Sequence, residues 1–173
     1  MLLNKIIEFT YHNPIDKIAE ENEDALEIKT DNSLQLKQIA ISDGAGGAGI
    51  YCKEWANFIV KNAPSLEEAK VNINNWLVET SKEFYFEYKD QVSEDSLTRE
   101  KFLSIGSYAT FLFLWIDLKN KTLFYTGVGD SSVFVLRKTE ERYVPVLIFP
   151  LDKNEFIDQN PQLINWKKKR LSE

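Results

Sequence analysis

The sequence predicts an α+β domain with segregated helices, and three observations carry that expectation. Strand patterns come first, two helical patterns follow, and a further run of strands comes after them. The strand–helix–strand alternation that builds a parallel sheet is missing. A length of 173 residues suits one domain, residues 1–173, and 43% apolar with 28% charged residues is the composition of a chain with a buried core.

The run 6–12 (IIEFTYH) is β-branched and aromatic and reads as a strand leading into a loop at Asn13 and Pro14. Residues 25–30 (ALEIKT) alternate apolar and polar, Asp31, Asn32 and Ser33 supply a turn, and 36–42 (LKQIAIS) resumes as a more buried strand. Residues 43–49 (DGAGGAG) hold four of the seven glycines and end that strand abruptly. Tyr51, Trp55, Phe58 and Ile59 then fall at helical spacing, with Pro64 marking the helix end. Ser65 followed by Glu67 and Glu68 has the form of an N-cap with an acidic first turn. It opens a long amphipathic helix through Val71, Asn74, Leu77, Val78 and Phe84 towards Tyr88. Residues 107–118, 122–128, 132–138 and 143–149 read as strands of an antiparallel meander, with a turn at Lys119, Asn120 and Lys121. The run 167–170 (KKKR) reads as a solvated basic tip.

Composition also limits function. The 21 basic and 27 acidic residues leave a charge of −6, which argues against nucleic acid as a main partner. The single cysteine, Cys52, cannot form an internal disulfide or a zinc cluster, so a reducing cytoplasm is the expected location. Lys5 and Glu8 interrupt the apolar start, so no export signal is expected. The most apolar run, 108–116 (YATFLFLWI), is too short to cross a bilayer, so no membrane partner is expected and the run reads as a buried strand.

Three short motifs can carry chemistry. In Asn22-Glu23-Asp24, adjacent carboxylates repel unless a cation lies between them, and hard Mg²⁺ or Mn²⁺ prefers such oxygens; the plainer reading is an acidic surface turn. In the segment 39–47, an apolar strand delivers Asp43 into a glycine turn. A carboxylate at a strand end can bridge two ions, and Gly44 lets its carbonyl approach one; the plainer reading is a common Asp-Gly turn. The same glycines match the dinucleotide spacing G-x-G-x-x-G, which would require a parallel strand after the helix. The segments 106–110 and 126–132 flank a presumed hairpin, and Asp130 again sits where a strand ends; a bulge or tight turn is the plainer reading.

Taken together in this order and spacing, NEDA at 22–25, DGAGG at 43–47, GSYAT at 106–110 and VGDSSVFVL at 128–136, the chain resembles the PPM-type family, the metal-dependent protein serine/threonine phosphatases. The resemblance is strongest over residues 5–145. It implies a four-layer αββα sandwich of two antiparallel sheets flanked by helices, with a metal centre at one end of the sheets. It implies Asp43 as the aspartate bridging two Mg²⁺ or Mn²⁺ ions, Gly44 as a carbonyl ligand, Glu23 as an acidic ligand of one ion, Asp24 as its neighbour, and Asp130 as the residue associated with a third ion. Asp43 and Glu23 would be the catalytic pair, and the substrate a phosphorylated protein. The reaction would be metal-assisted hydrolysis without a phosphoenzyme, which suits a chain whose one histidine, His12, reads as a strand residue.

Two departures stand beside these expectations. Where the family usually carries a phosphate-gripping arginine, this chain has Ala19, with only Lys17 nearby, and lysine lacks the bidentate fork. The family's domain is also longer and supplies two further aspartates from its second half, whereas here only Asp152 and Asp158 follow Asp130, neither in a strand-end glycine context. The domain is therefore expected to lack its C-terminal part. These departures motivate the alternative of an inactive pseudophosphatase, a binding or regulatory module. The oligomeric state stays open.

Overall fold

The computed structural model describes residues 22–47, 49–92, 96–140, 142–149 and 163–167. The expected strand at 6–12, together with His12, Lys17, Ala19, Asp152, Asp158 and the tip residues 168–170, lies outside the described residues. The described chain is mixed α+β, with three helices and a four-stranded antiparallel sheet.

Strands β1 (Asp24–Asp31) and β2 (Leu36–Asp43) form the first hairpin. Its turn is tied by Asp31, whose Oδ1 accepts from the Ser33 backbone N–H at 2.8 Å, the Ser33 hydroxyl at 2.6 Å and the Leu34 N–H at 3.0 Å. Helices α1 (Cys52–Lys61), α2 (Leu66–Tyr88) and α3 (Ser96–Ser104) follow. Then come β3 (Tyr108–Ala109), β4 (Phe111–Asp117), β5 (Thr122–Val128), β6 (Val133–Lys138), β7 (Tyr143–Phe149) and the short β8 (Ile164–Asn165). The main sheet runs β1-β2-β4-β5, while β6 with β7 and β3 with β8 make two separate two-stranded sheets. The expected meander therefore divides after β5, where Gly129 at φ 112° turns the chain out of the sheet.

Phe111, Phe113 and Trp115 line one face of β4 and are buried under the helices. Trp76 of α2 meets the rings of Phe111 and Phe113 edge-on at 5.7 and 5.1 Å, and the Trp115 indole N–H donates to the Pro64 carbonyl at 3.2 Å. Trp55, Phe58 and Phe84 join α1 to α2 in the same core. On the other face, register aligns Ile39 and Ile41 with Leu114 and Leu112, and Leu123 with Ile116. Both faces of the sheet are thus apolar, which explains why β4 is a continuous apolar run rather than an alternating one. Tyr125 on β5 meets Phe149 on β7 with ring centroids 4.5 Å apart.

Three expectations are corrected in detail. The long second helix keeps its capping box, with the Glu68 N–H donating to Ser65 Oγ at 3.2 Å and the Ser65 N–H to Glu68 Oε2 at 2.8 Å, but its backbone breaks at Asn72 (φ −169°, ψ 102°). Asn72 Oδ1 accepts from the N–H groups of Asn74 and Asn75 and caps the second segment, leaving Val71 83% exposed instead of on the buried stripe. Helix α3 was not expected, because its only buried residue is Phe102 and no apolar period marks it. The single strand expected over 107–118 divides at Thr110 into β3 and β4. At the expected solvated tip, Lys167 is exposed, and its Nζ also donates to the carbonyls of Leu103 and Ser104, at 2.5 and 2.6 Å, at the C-terminal end of α3. Among the described residues, no helix is long and apolar enough to cross a membrane.

Candidate metal centre

The first residue of β1 stands opposite the last of β2, so the hairpin register itself pairs Asp24 with Asp43 at one end of the sheet. Like charges directly opposite one another repel. Although Asp43 is exposed as a residue, its carboxyl is pushed up to about 6 from 3.8, first by partial burial. The charge of Asp24 and a hydrogen bond with it come next, then the charges of Asp130 and Glu23. Two separate segments, 23–24 and 130, therefore act on the one carboxyl of Asp43.

The glycine loop fixes Glu23. The Gly44 N–H donates to the Glu23 carbonyl at 3.2 Å, and the Gly46 N–H donates to Glu23 Oε2 at 2.6 Å. A Cβ at Gly44 would lie 2.7 Å from the Cys52 carbonyl oxygen and 2.9 Å from Glu23 Cβ, so that position requires bare backbone, whereas one at Gly46 would displace the Glu23 carboxylate from its place. The Asp24 N–H donates to Asn22 Oδ1 at 2.9 Å, which finishes the turn into β1. Cys52 closes the loop from the far side. Its thiol donates to the Ala45 carbonyl and its sulfur accepts from the Tyr108 N–H, both at 3.3 Å; burial pushes the thiol up, which keeps the donor proton in place.

Thr110 joins these parts to the segment that carries Asp130. Its hydroxyl oxygen accepts from the Asp43 N–H at 3.1 Å and lies 3.1 Å from the Ser131 hydroxyl. Its N–H donates to the Asp43 carbonyl at 2.8 Å, and its carbonyl accepts from the Ser42 hydroxyl at 2.6 Å. Asp130 itself sits in the loop after β5, where its carbonyl accepts from the Ser132 hydroxyl at 3.2 Å. Sequence motifs singled out the GSYAT and GDS segments but not the joining roles of Thr110 and Ser131. They also left Cys52 as a redox indicator only. Those roles depend on bonds between distant segments; no local signal marks Thr110 or Cys52, and Ser131 is marked only by its place beside Asp130.

The structure thus brings Glu23, Asp24, Asp43 and Gly44 together and sets Asp130 near enough for its charge to act on Asp43. In donor type the set fits a hard divalent cation: the charged groups acting on Asp43 are all carboxylates, and negative charge is crowded at a strand end. Among the described residues, no three acidic, imidazole or thiol groups form a finished ligand set for one ion, and Glu23 is turned to Gly46 instead. The dinucleotide reading fails, because among the described residues every strand pair is antiparallel and the Gly46 N–H is taken by Glu23. No protein-family model, no curated protein and no solved structure matches the chain.

Proposed function

We propose that this chain is a PPM-type domain that hydrolyses phosphoserine and phosphothreonine in proteins with the help of Mg²⁺ or Mn²⁺. The observation that carries the reading is the action of Asp24, Asp130 and Glu23 on the Asp43 carboxyl at one end of an antiparallel sheet. Asp43 and Asp24 would hold cations with the Gly44 carbonyl, with Glu23 and Asp130 at their flanks. Bound ions would supply a water of lowered pKa and offset charge on the phosphoryl oxygens. The protein's own contribution is placement: the sheet fixes Asp24 against Asp43, and the glycine loop orients Glu23 through Gly46. Below about pH 6, Asp43 keeps a proton that a cation must displace. The αββα sandwich belongs to the same proposal and is supported by the apolar second face of the sheet, against which the Tyr125–Phe149 contact seats β7.

Hydrolysis of an aryl phosphate by the purified chain with Mn²⁺, repeated with chelator and with Asp43→Asn, tests this reading. Turnover that both controls abolish is the expected outcome, and turnover undiminished in excess chelator overturns it. A second reading, a pseudophosphatase that binds a phosphorylated partner without turnover, is favoured by Ala19 in the place of the phosphate-gripping arginine. A folded chain that binds Mn²⁺ and a phosphopeptide yet shows no hydrolysis would select it.

A further inference from the structure

At the end of β2, the ladder between β2 and the β3–β4 segment changes its chemistry. The Asp43 N–H donates to the side-chain oxygen of Thr110 rather than to a backbone carbonyl, and the Thr110 carbonyl is taken by the Ser42 hydroxyl. Thr110 is 2% exposed, so its hydroxyl has no access to water as a substitute partner. The same oxygen reaches Ser131, the residue after Asp130. One buried hydroxyl therefore holds the backbone of Asp43 and the loop of Asp130 at once.

We propose that Thr110 is a positioning residue: its hydroxyl sets the distance between Asp43 and the Asp130 loop, and cation binding at this sheet end depends on it. The inference rests on the metal-dependent reading above and deepens it. Groups that orient metal ligands through hydrogen bonds govern affinity strongly without touching the ion. Thr110→Val removes the oxygen at nearly constant shape, Thr110→Ser restores it, and Ser131→Ala cuts only the bond towards Asp130.

Two measurements on the full chain test the proposal. Mn²⁺ titration followed by electron paramagnetic resonance is expected to show binding weakened about 10–100-fold in Thr110→Val. Thr110→Ser should return towards the parent, and Ser131→Ala should weaken binding in the same direction. Amide hydrogen exchange in chelator should show faster exchange at Asp43 and residues 129–132 in Thr110→Val, and at 129–132 alone in Ser131→Ala. Equal weakening by Thr110→Val and Thr110→Ser, or parent-like binding and exchange in both Thr110→Val and Ser131→Ala, overturns the role of Thr110. If the parent chain binds no Mn²⁺, the metal-dependent reading and the proposed dependence of binding on Thr110 fall together. The exchange data then decide whether the hydroxyl still ties the two segments. Should Thr110→Val fail to fold, Ser131→Ala against the parent decides.

Discussion

At Asp43 the proton is held up to about pH 6, against 3.8 for an ordinary aspartate, so between those values the folded chain binds more protons than the unfolded chain. Stability of the metal-free protein therefore falls as pH rises through that window, and the loss persists above it. Burial of the carboxyl is the first cause and Asp24 the second, so Asp24→Asn removes part of the penalty and leaves part. In chelator, this variant is expected to melt about 2–4 °C above the parent at pH values above the window, and to converge with it as pH falls towards 3.8. Thermal unfolding across the range checks this; a variant that melts below the parent at high pH would mean that Asp24 contributes more through its hydrogen bonds than it costs through repulsion. A bound divalent cation would reverse the sign by offsetting the same charges, so the parent should gain more than Asp24→Asn when Mn²⁺ is added.

Among the elements, α2 is two helical segments, each with its own cap. Asn72 caps the second, so Asn72→Ala should cost about 1 kcal/mol, seen as a lower urea midpoint with unchanged slope. An unchanged midpoint would mean that packing alone holds the break. The Ser65 cap was legible in the sequence because a capping box is a four-residue pattern. The Asn72 break was not, since Val71 and Ile73 continue an apolar run on either side of a residue that can also sit inside a helix. Helix α3 was hidden because Leu97 and Leu103 face solvent and Phe102 alone is buried, against Trp166 and Tyr51 from distant segments. The division at Thr110 was equally hidden: threonine favours strands, and the partner of β3 is β8, far along the chain. The acidic groups of the candidate centre were legible from their order, whereas Cys52, Thr110 and Ser131 act through bonds that no local pattern encodes.

For the whole molecule, β4 is the axis: it pairs with β2 on one side and β5 on the other, and its rings pack under the helices. Phe113 is fully buried at that crossing, so Phe113→Ala should cost about 3–5 kcal/mol, measured by urea unfolding. A cost near 1 kcal/mol would mean that Trp76 and Trp115 collapse into the space. The hairpins β1–β2 and β4–β5 close over short turns, but the seam between them joins Asp43 to Thr110 across 67 positions that contain all three helices. Loop closure makes that seam the slow event, and hairpins can form before it. Until it forms, Asp130 is held away from Glu23, Asp24 and Asp43. Asp24 already faces Asp43 in the first hairpin, so only the Asp130 share of the repulsion is met when the seam closes, and relieving that share should slow unfolding more than it speeds folding.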